Sequence, residues 1–113
     1  MPPAPYRWTA SFTPATPDPV DLATPVIPPG QTIELEYLNA RVSSTEPVFV
    51  QILFGVPAAT TYPLCQIVAE PTPAPPSFNT GLRLYPGERL IFRFTVPVPG
   101  QLHEAFAYGR LLP

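Results

Sequence analysis

Two pairings of side chains in this chain have the residue types for chemistry. Cys65 and His103 are its one thiol and one imidazole. A nucleophilic pair would need the imidazole to take the thiol proton and a third group to orient that base. Cys65 lies between Leu64 and Gln66 in a strand-like run, the setting of a small buried thiol rather than a nucleophile. Glu34 and Glu36 are two residues apart and would point to the same side of a strand. That geometry could serve acid–base work, and it is equally the ordinary pattern of a solvated outer face. One Cys with one His does not close a tetrahedral zinc site. No glycine-rich phosphate loop, spaced His/Asp cluster or nucleophile elbow occurs. The expectation is therefore no catalytic residue, no metal and no cofactor: not an enzyme.

Composition explains why so few groups are available. The chain has 113 residues, of which 20 are proline and 45% hydrophobic. Proline is more than three times its usual ~5%. Only 12% of residues are charged, with six basic residues (all arginine), eight acidic ones and a net charge of −2. Pro-rich disorder combines low hydrophobicity with high net charge, so this chain is expected to fold. Prolines this frequent exclude long helices, since each costs ~3 kcal/mol in a helix interior. A pI near 5.2 and the absence of lysine leave no basic footprint for nucleic acid. No apolar run reaches the ~20 residues of a membrane span. Met1-Pro2-Pro3-Ala4-Pro5 lacks the basic and apolar regions of a signal peptide, so neither secretion nor a membrane is expected.

The elements that position these residues read as strands. Residues 1–30 are expected to form a Pro-rich extended arm, and residues 31–113 a β-sandwich domain. Within the arm, Tyr6 to Phe12 is free of proline, and Tyr6, Trp8, Ala10 and Phe12 would share one face. That face needs a partner: either this domain's own sheet, or a neighbouring subunit to which the arm adds as a strand. Thr32–Val42 alternates, with Ile33, Leu35 and Tyr37 on one side and Glu34 and Glu36 on the other. Pro47–Phe54 is apolar on both sides, with Val48, Val50, Ile52 and Phe54 opposed to Phe49, Gln51 and Leu53. Tyr62–Ala69, weakened by Pro63, is expected at an edge. Leu82–Tyr85 is a short strand, and Glu88–Val96 turns Leu90, Phe92, Phe94 and Val96 inward. Gln101–Leu112 closes the chain as a strand, though its Glu-Ala-Phe-Ala-Tyr core could also make a helical turn. Pro29-Gly30, Pro86-Gly87 and Pro99-Gly100 each precede a strand, as a type II turn with φ > 0 at glycine requires. Glu70–Thr80 reads as a polyproline-biased crossover with Phe78 docked on the body. The whole predicts an all-β, antiparallel β-sandwich of seven or eight strands, jelly-roll-like. The corners alone leave jelly-roll and immunoglobulin-like strand orders both open.

Binding is the better class of function. The chain carries seven Phe, five Tyr and one Trp. A carbohydrate-binding module would expose such rings beside amide or carboxylate hydrogen-bonders. Trp8 stands alone, however, and Tyr62, Tyr85 and Tyr108 sit near strand ends, where capping the core is the ordinary role. Ala74-Pro75-Pro76 is a short candidate ligand for polyproline-reading domains. Against these stands the scarcity of charge: a solitary small domain carries roughly 25–35% charged surface. Two-sided apolar strands mark interaction sites or aggregation liabilities.

The Pro-rich arm Met1–Gly30, the strand run Thr32–Phe54 and the corner Leu84-Tyr85-Pro86-Gly87-Glu88-Arg89-Leu90 resemble the style of small virion structural proteins. These are phage decoration, cement or minor-capsid β-sandwiches. The resemblance implies a non-enzymatic, multi-copy shell component located in the virion and assembled in the host cytoplasm. Its partners would be protein subunits of the same assembly, as a homo-oligomer or with a major capsid protein. The expected interface comprises Tyr6, Trp8 and Phe12 as anchors of the arm and Phe49 from a strand that, apolar on both sides, lies centrally in the sandwich or against another chain. Arg83, Arg89 and Arg93 would offer planar donors to carboxylates across the contact. The alternative is a monomeric ligand- or carbohydrate-binding module.

Overall fold

A computed structural model describes residues 4–55, 61–69 and 82–112, and contains eight strands and no helix among them. They are β1 (Ala4–Phe12), β2 (Val20–Ala23), β3 (Thr32–Val42), β4 (Val48–Gly55), β5 (Thr61–Ala69), β6 (Arg83–Leu84), β7 (Arg89–Phe94) and β8 (His103–Leu112). Every pairing is antiparallel. The front sheet has the order β1-β8-β3-β6 and the back sheet β2-β7-β4-β5. The inner rows of both sheets share one core, with Ile33, Leu35, Leu38, Ala105 and Ala107 from the front and Val50, Ile52, Leu90, Phe92 and Phe94 from the back.

An extended arm is not what residues 4–30 show, and Tyr6 to Phe12 follow the alternative of a strand on the domain's own sheet. They supply β1 to the front sheet and β2 to the back sheet, and prolines 14, 17 and 19 lie in the connection between them. Packing energetics explain this correction. Burying a large apolar side chain contributes ~1.5–3 kcal/mol, and the chain's own core is the nearest surface that provides it. Trp8 lies 5.5 Å from Phe92, ring centre to ring centre, and Phe12 5.0 Å from Phe94. β2 escaped the sequence reading because four residues between prolines carry too little periodicity. It is prolonged by Thr24, whose N–H donates to the Leu90 carbonyl and whose Oγ1 accepts the Leu90 N–H.

Two further expectations change. The alternation of β3 breaks: Leu35 pairs with Gly109 and Tyr37 with Tyr108, leaving Glu36 as an extra residue in a β-bulge. Ile33 and Leu35 point inward as expected. Past the bulge Leu38, Ala40 and Val42 take the inward places, and Tyr37 is exposed. At the site of the bulge β8 comes so close that a Cβ on Gly109 would overlap the Glu34 carbonyl. Val96, expected inward, lies past the end of β7 and is 66% exposed.

The remaining elements follow the pattern. β5 is an edge strand with its own irregularity beside Leu64. The C-terminal run is strand throughout, with His103, Ala105 and Ala107 buried. Gly30, Gly87 and Gly100 have φ of 83°, 88° and 78°, the left-handed values that the Pro-Gly corners demand. The expected docking of Phe78 and the Glu70–Thr80 crossover lie outside the described residues.

Candidate functional site

The catalytic pairing fails on geometry. Cys65 belongs to the edge strand of the back sheet and His103 to the second strand of the front sheet. The Cys65 thiol packs against the core, and burial raises its pKa, the opposite of what a nucleophile needs. His103 is fully buried, stacked on Phe12 at 4.7 Å and edge-on to Phe94 at 5.6 Å. Its Nδ1 lies 2.8 Å from the Gln101 carbonyl, and its Nε2 accepts the Val98 N–H at 3.0 Å. This pair of bonds fixes a neutral ring protonated on Nδ1. Burial lowers its pKa, partly opposed by the Gln101 hydrogen bond. The ring ties the Pro99-Gly100 corner to the core and has no nitrogen left for chemistry. Among the described residues no group of His, Cys, Asp and Glu could hold a metal ion.

What remains are the outer faces of the sheets. On the front sheet, cross-strand rows follow from the register: Arg110–Glu34–Arg83, then Arg7–Tyr108–Tyr37, then Thr9–Phe106–Asn39, then Ser11–Glu104–Arg41. Glu34 and Glu36 are therefore outer-face residues, and Glu34 joins two arginines. Its Oε1 accepts from Arg110 at 2.6 and 3.1 Å, and Oε2 lies 3.4 Å from Arg83. The Arg110 hydrogen bond holds the carboxyl below its usual range, with burial opposing and Arg83 adding to the effect. Arg41 meets Glu104 at 3.3 Å. Between these ion pairs lies a shallow groove of about 410 Å³, lined by Pro5, Arg7, Glu36, Tyr37, Tyr108 and Gly109 among others. Tyr108 thus occupies the outer face instead of capping the core. The missed signal is the bulge, which brings Tyr37 beside it.

The back sheet presents a different surface. Phe49 on β4 is 54% exposed and pairs in register with Val68 on β5, 42% exposed. Leu64 is exposed on the same side of β5, beyond Gln66, and Val96 adjoins Phe49, because Thr95 donates to the Phe49 carbonyl through N–H and Oγ1. A second groove, about 320 Å³, runs beside Phe49 and Val96 between Pro17, Pro47, Pro97 and Pro99. The charged groups on β7 are Arg89, which is exposed, and Arg93, bound to Asp21 through two hydrogen bonds of 2.9 and 3.0 Å.

The residues expected at an interface are thus divided. Tyr6, Trp8 and Phe12 face the chain's own core, half-buried. Arg83 and Arg93 already have carboxylate partners within the chain, so they are not idle donors. Arg89 is exposed and passes over Gly55. Phe49 is exposed. Val68, Leu64 and Val96 are exposed as well, which their sequence, that of ordinary strand residues, does not signal. No family model, curated protein or solved structure matches the chain.

Proposed function

We propose that this protein is a non-enzymatic structural subunit of a multi-subunit assembly, held to neighbouring protein subunits by the outer face of its back sheet. The exposed apolar side chains Phe49 and Val68, with Val96 beside them and Leu64 beyond Gln66, carry this reading. A chain with 12% charged residues that leaves such side chains in contact with water is one whose surface is completed by other subunits.

The fold is proposed to be a jelly roll. The orders β1-β8-β3-β6 and β2-β7-β4-β5 support two nested Greek keys wrapped into two sheets, and no sheet has the strand neighbours of an immunoglobulin domain. Jelly rolls serve both as viral capsid subunits and as lectins. Fold therefore narrows the function without choosing, and the choice rests on the surface. Together with the resemblance to small virion proteins, the apolar face favours a decoration or minor-capsid role.

A second reading has its own observation. Tyr37 and Tyr108 lie side by side on the front sheet, with Arg7 and Glu36 at the same groove. Flat rings flanked by hydrogen-bonding groups suit a saccharide. Sedimentation equilibrium separates the two readings. The assembly reading expects mass above 12.3 kDa that increases with concentration and falls in Phe49→Asp. A monomer at every concentration that binds oligosaccharides, and loses them in Tyr37→Ala, would replace it.

A further inference from the structure

Strand β1 has a partner on one side only. It bonds to β8 along all nine residues, Ala4 to Phe12, and among the described residues nothing pairs with its other edge. In a strand, half of the backbone N–H and C=O groups point to each side, so an open edge is a template for another strand. The remaining sheet edges are blunted. β6 has two residues and β2 four, while β5 carries Pro63 and an irregular register at Leu64. β1 is long, pairs with β8 without a register shift and bears one charge, Arg7; its proline, Pro5, is next to the strand's start and leaves Tyr6 to Phe12 free of proline.

We propose that the occupant of this edge is β1 of a second copy, paired antiparallel about a two-fold axis at Trp8, so that two front sheets become one continuous sheet. The strand's own sequence supports this choice. With Trp8 at the axis, Tyr6 faces Ala10 of the other copy, Phe12 faces Ala4, and Pro5 faces Ser11. Each remaining ring of the inward row is thus opposite an alanine, the large-against-small matching that lets side chains interdigitate. On the outward row Arg7 faces Thr9, so the strand's single charge never opposes its copy. Tyr6, Trp8 and Phe12 are half-buried because they line the open rim of the core. A second copy covers that rim. Closed two-fold pairing is the commonest symmetry of homo-oligomers, and it uses up the edge on both partners.

The inference rests on the assembly reading but concerns a different surface, so the two can fail separately. A pairing of two single strands is at the small end of interfaces, below roughly 1,200 Å², and gives a reversible dimer. Strands ~4.8 Å apart with a rise of ~3.3 Å per residue place Thr9 about 8 Å from its counterpart. A spin label on Thr9→Cys in a Cys65→Ser background therefore broadens strongly in the dimer, while a label on Gln66→Cys, on the back sheet, does not. Charge substitution at the exposed Thr9 position leaves the monomer fold intact and gives a second readout. Thr9→Glu faces Arg7 of the other copy and tightens the dimer roughly threefold to tenfold, whereas Thr9→Arg weakens it by a similar factor. Association that persists with unbroadened Thr9 labels and no response to either charge overturns edge pairing and leaves the back-sheet reading in place. A monomer at every concentration overturns both.

Discussion

The outer faces of the two sheets are made of the same number of strands and differ in what water meets. On the front sheet Glu34, Glu104, Arg41, Arg83 and Arg110 are matched across strands, and the rings of Phe106, Tyr108 and Tyr37 lie between them. On the back sheet one pair, Arg93 with Asp21, stands near β2, and the β4–β5 side carries Phe49, Val68 and Leu64. A chain with few charges has placed more of them on the front face, while the back face, which keeps Asp21, Arg89 and Arg93, exposes Phe49, Val68 and Leu64. The front face is satisfied within the molecule, and the back face is not. Changes on the front should therefore alter stability slightly and association little, and changes on the back should do the reverse.

The strongest test of that contrast is Phe49→Asp combined with Val68→Asp. Central apolar contacts at interfaces are worth ~2 kcal/mol or more, so association through the back sheet should weaken about thirtyfold or more in sedimentation, with thermal unfolding nearly unchanged. Loss of folding in place of association would mean that the row belongs to the core. Next in size is Gly109→Ala, which forces a methyl group onto the Glu34 carbonyl. Overpacking of this kind costs about 1–3 kcal/mol, to be read from denaturant midpoints, and should leave back-sheet association as it was.

Acidification acts between the sheets through His103, and on the front face only at lower pH, where Glu34, whose carboxyl the Arg110 hydrogen bond holds below its usual range, takes up a proton. The folded-state pKa of His103 is lowered, so the unfolded chain binds the proton more readily. Stability is complete above the unfolded value near ~6.5 and is lost as pH falls below it. Urea midpoints for wild type and His103→Gln should diverge at neutral pH and converge on acidification, because the variant lacks the titrating ring. The smallest effect is expected for Asp21→Asn. This exposed pair should contribute no more than about 1 kcal/mol, and high salt should erase the difference.

Much of the fold was legible because its signals are local. Alternation marked β3, β7 and β8, a run apolar on both sides marked β4, and three Pro-Gly corners placed turns whose glycines have the required φ. The inward row Tyr6, Trp8, Phe12 was also visible, but sequence could not say which core it would cover; the answer depended on β8 offering a nine-residue edge. The bulge at Glu36 was hidden for a different reason. Ile33, Leu35 and Tyr37 continue an apolar alternation through it, and the break is set by how closely β8 approaches at Gly109. The apolar outer row was half seen in Phe49. Its continuation through Val68 and Val96 depends on strand pairing, which a single sequence does not print.

The extra residue in β3 also bears on how this chain could change length. Both Glu36 and Tyr37 sit on the solvent side, between Leu35 and Leu38, which both point inward. Removing Glu36 would leave every later residue on the side it already occupies, so a deletion in mid-strand, ordinarily ruinous, should be tolerated. It should also relax the crowding at the opposite position, so that a shortened β3 accepts alanine at 109. Lineages of such a protein would then be expected to lose the surplus residue and the glycine together.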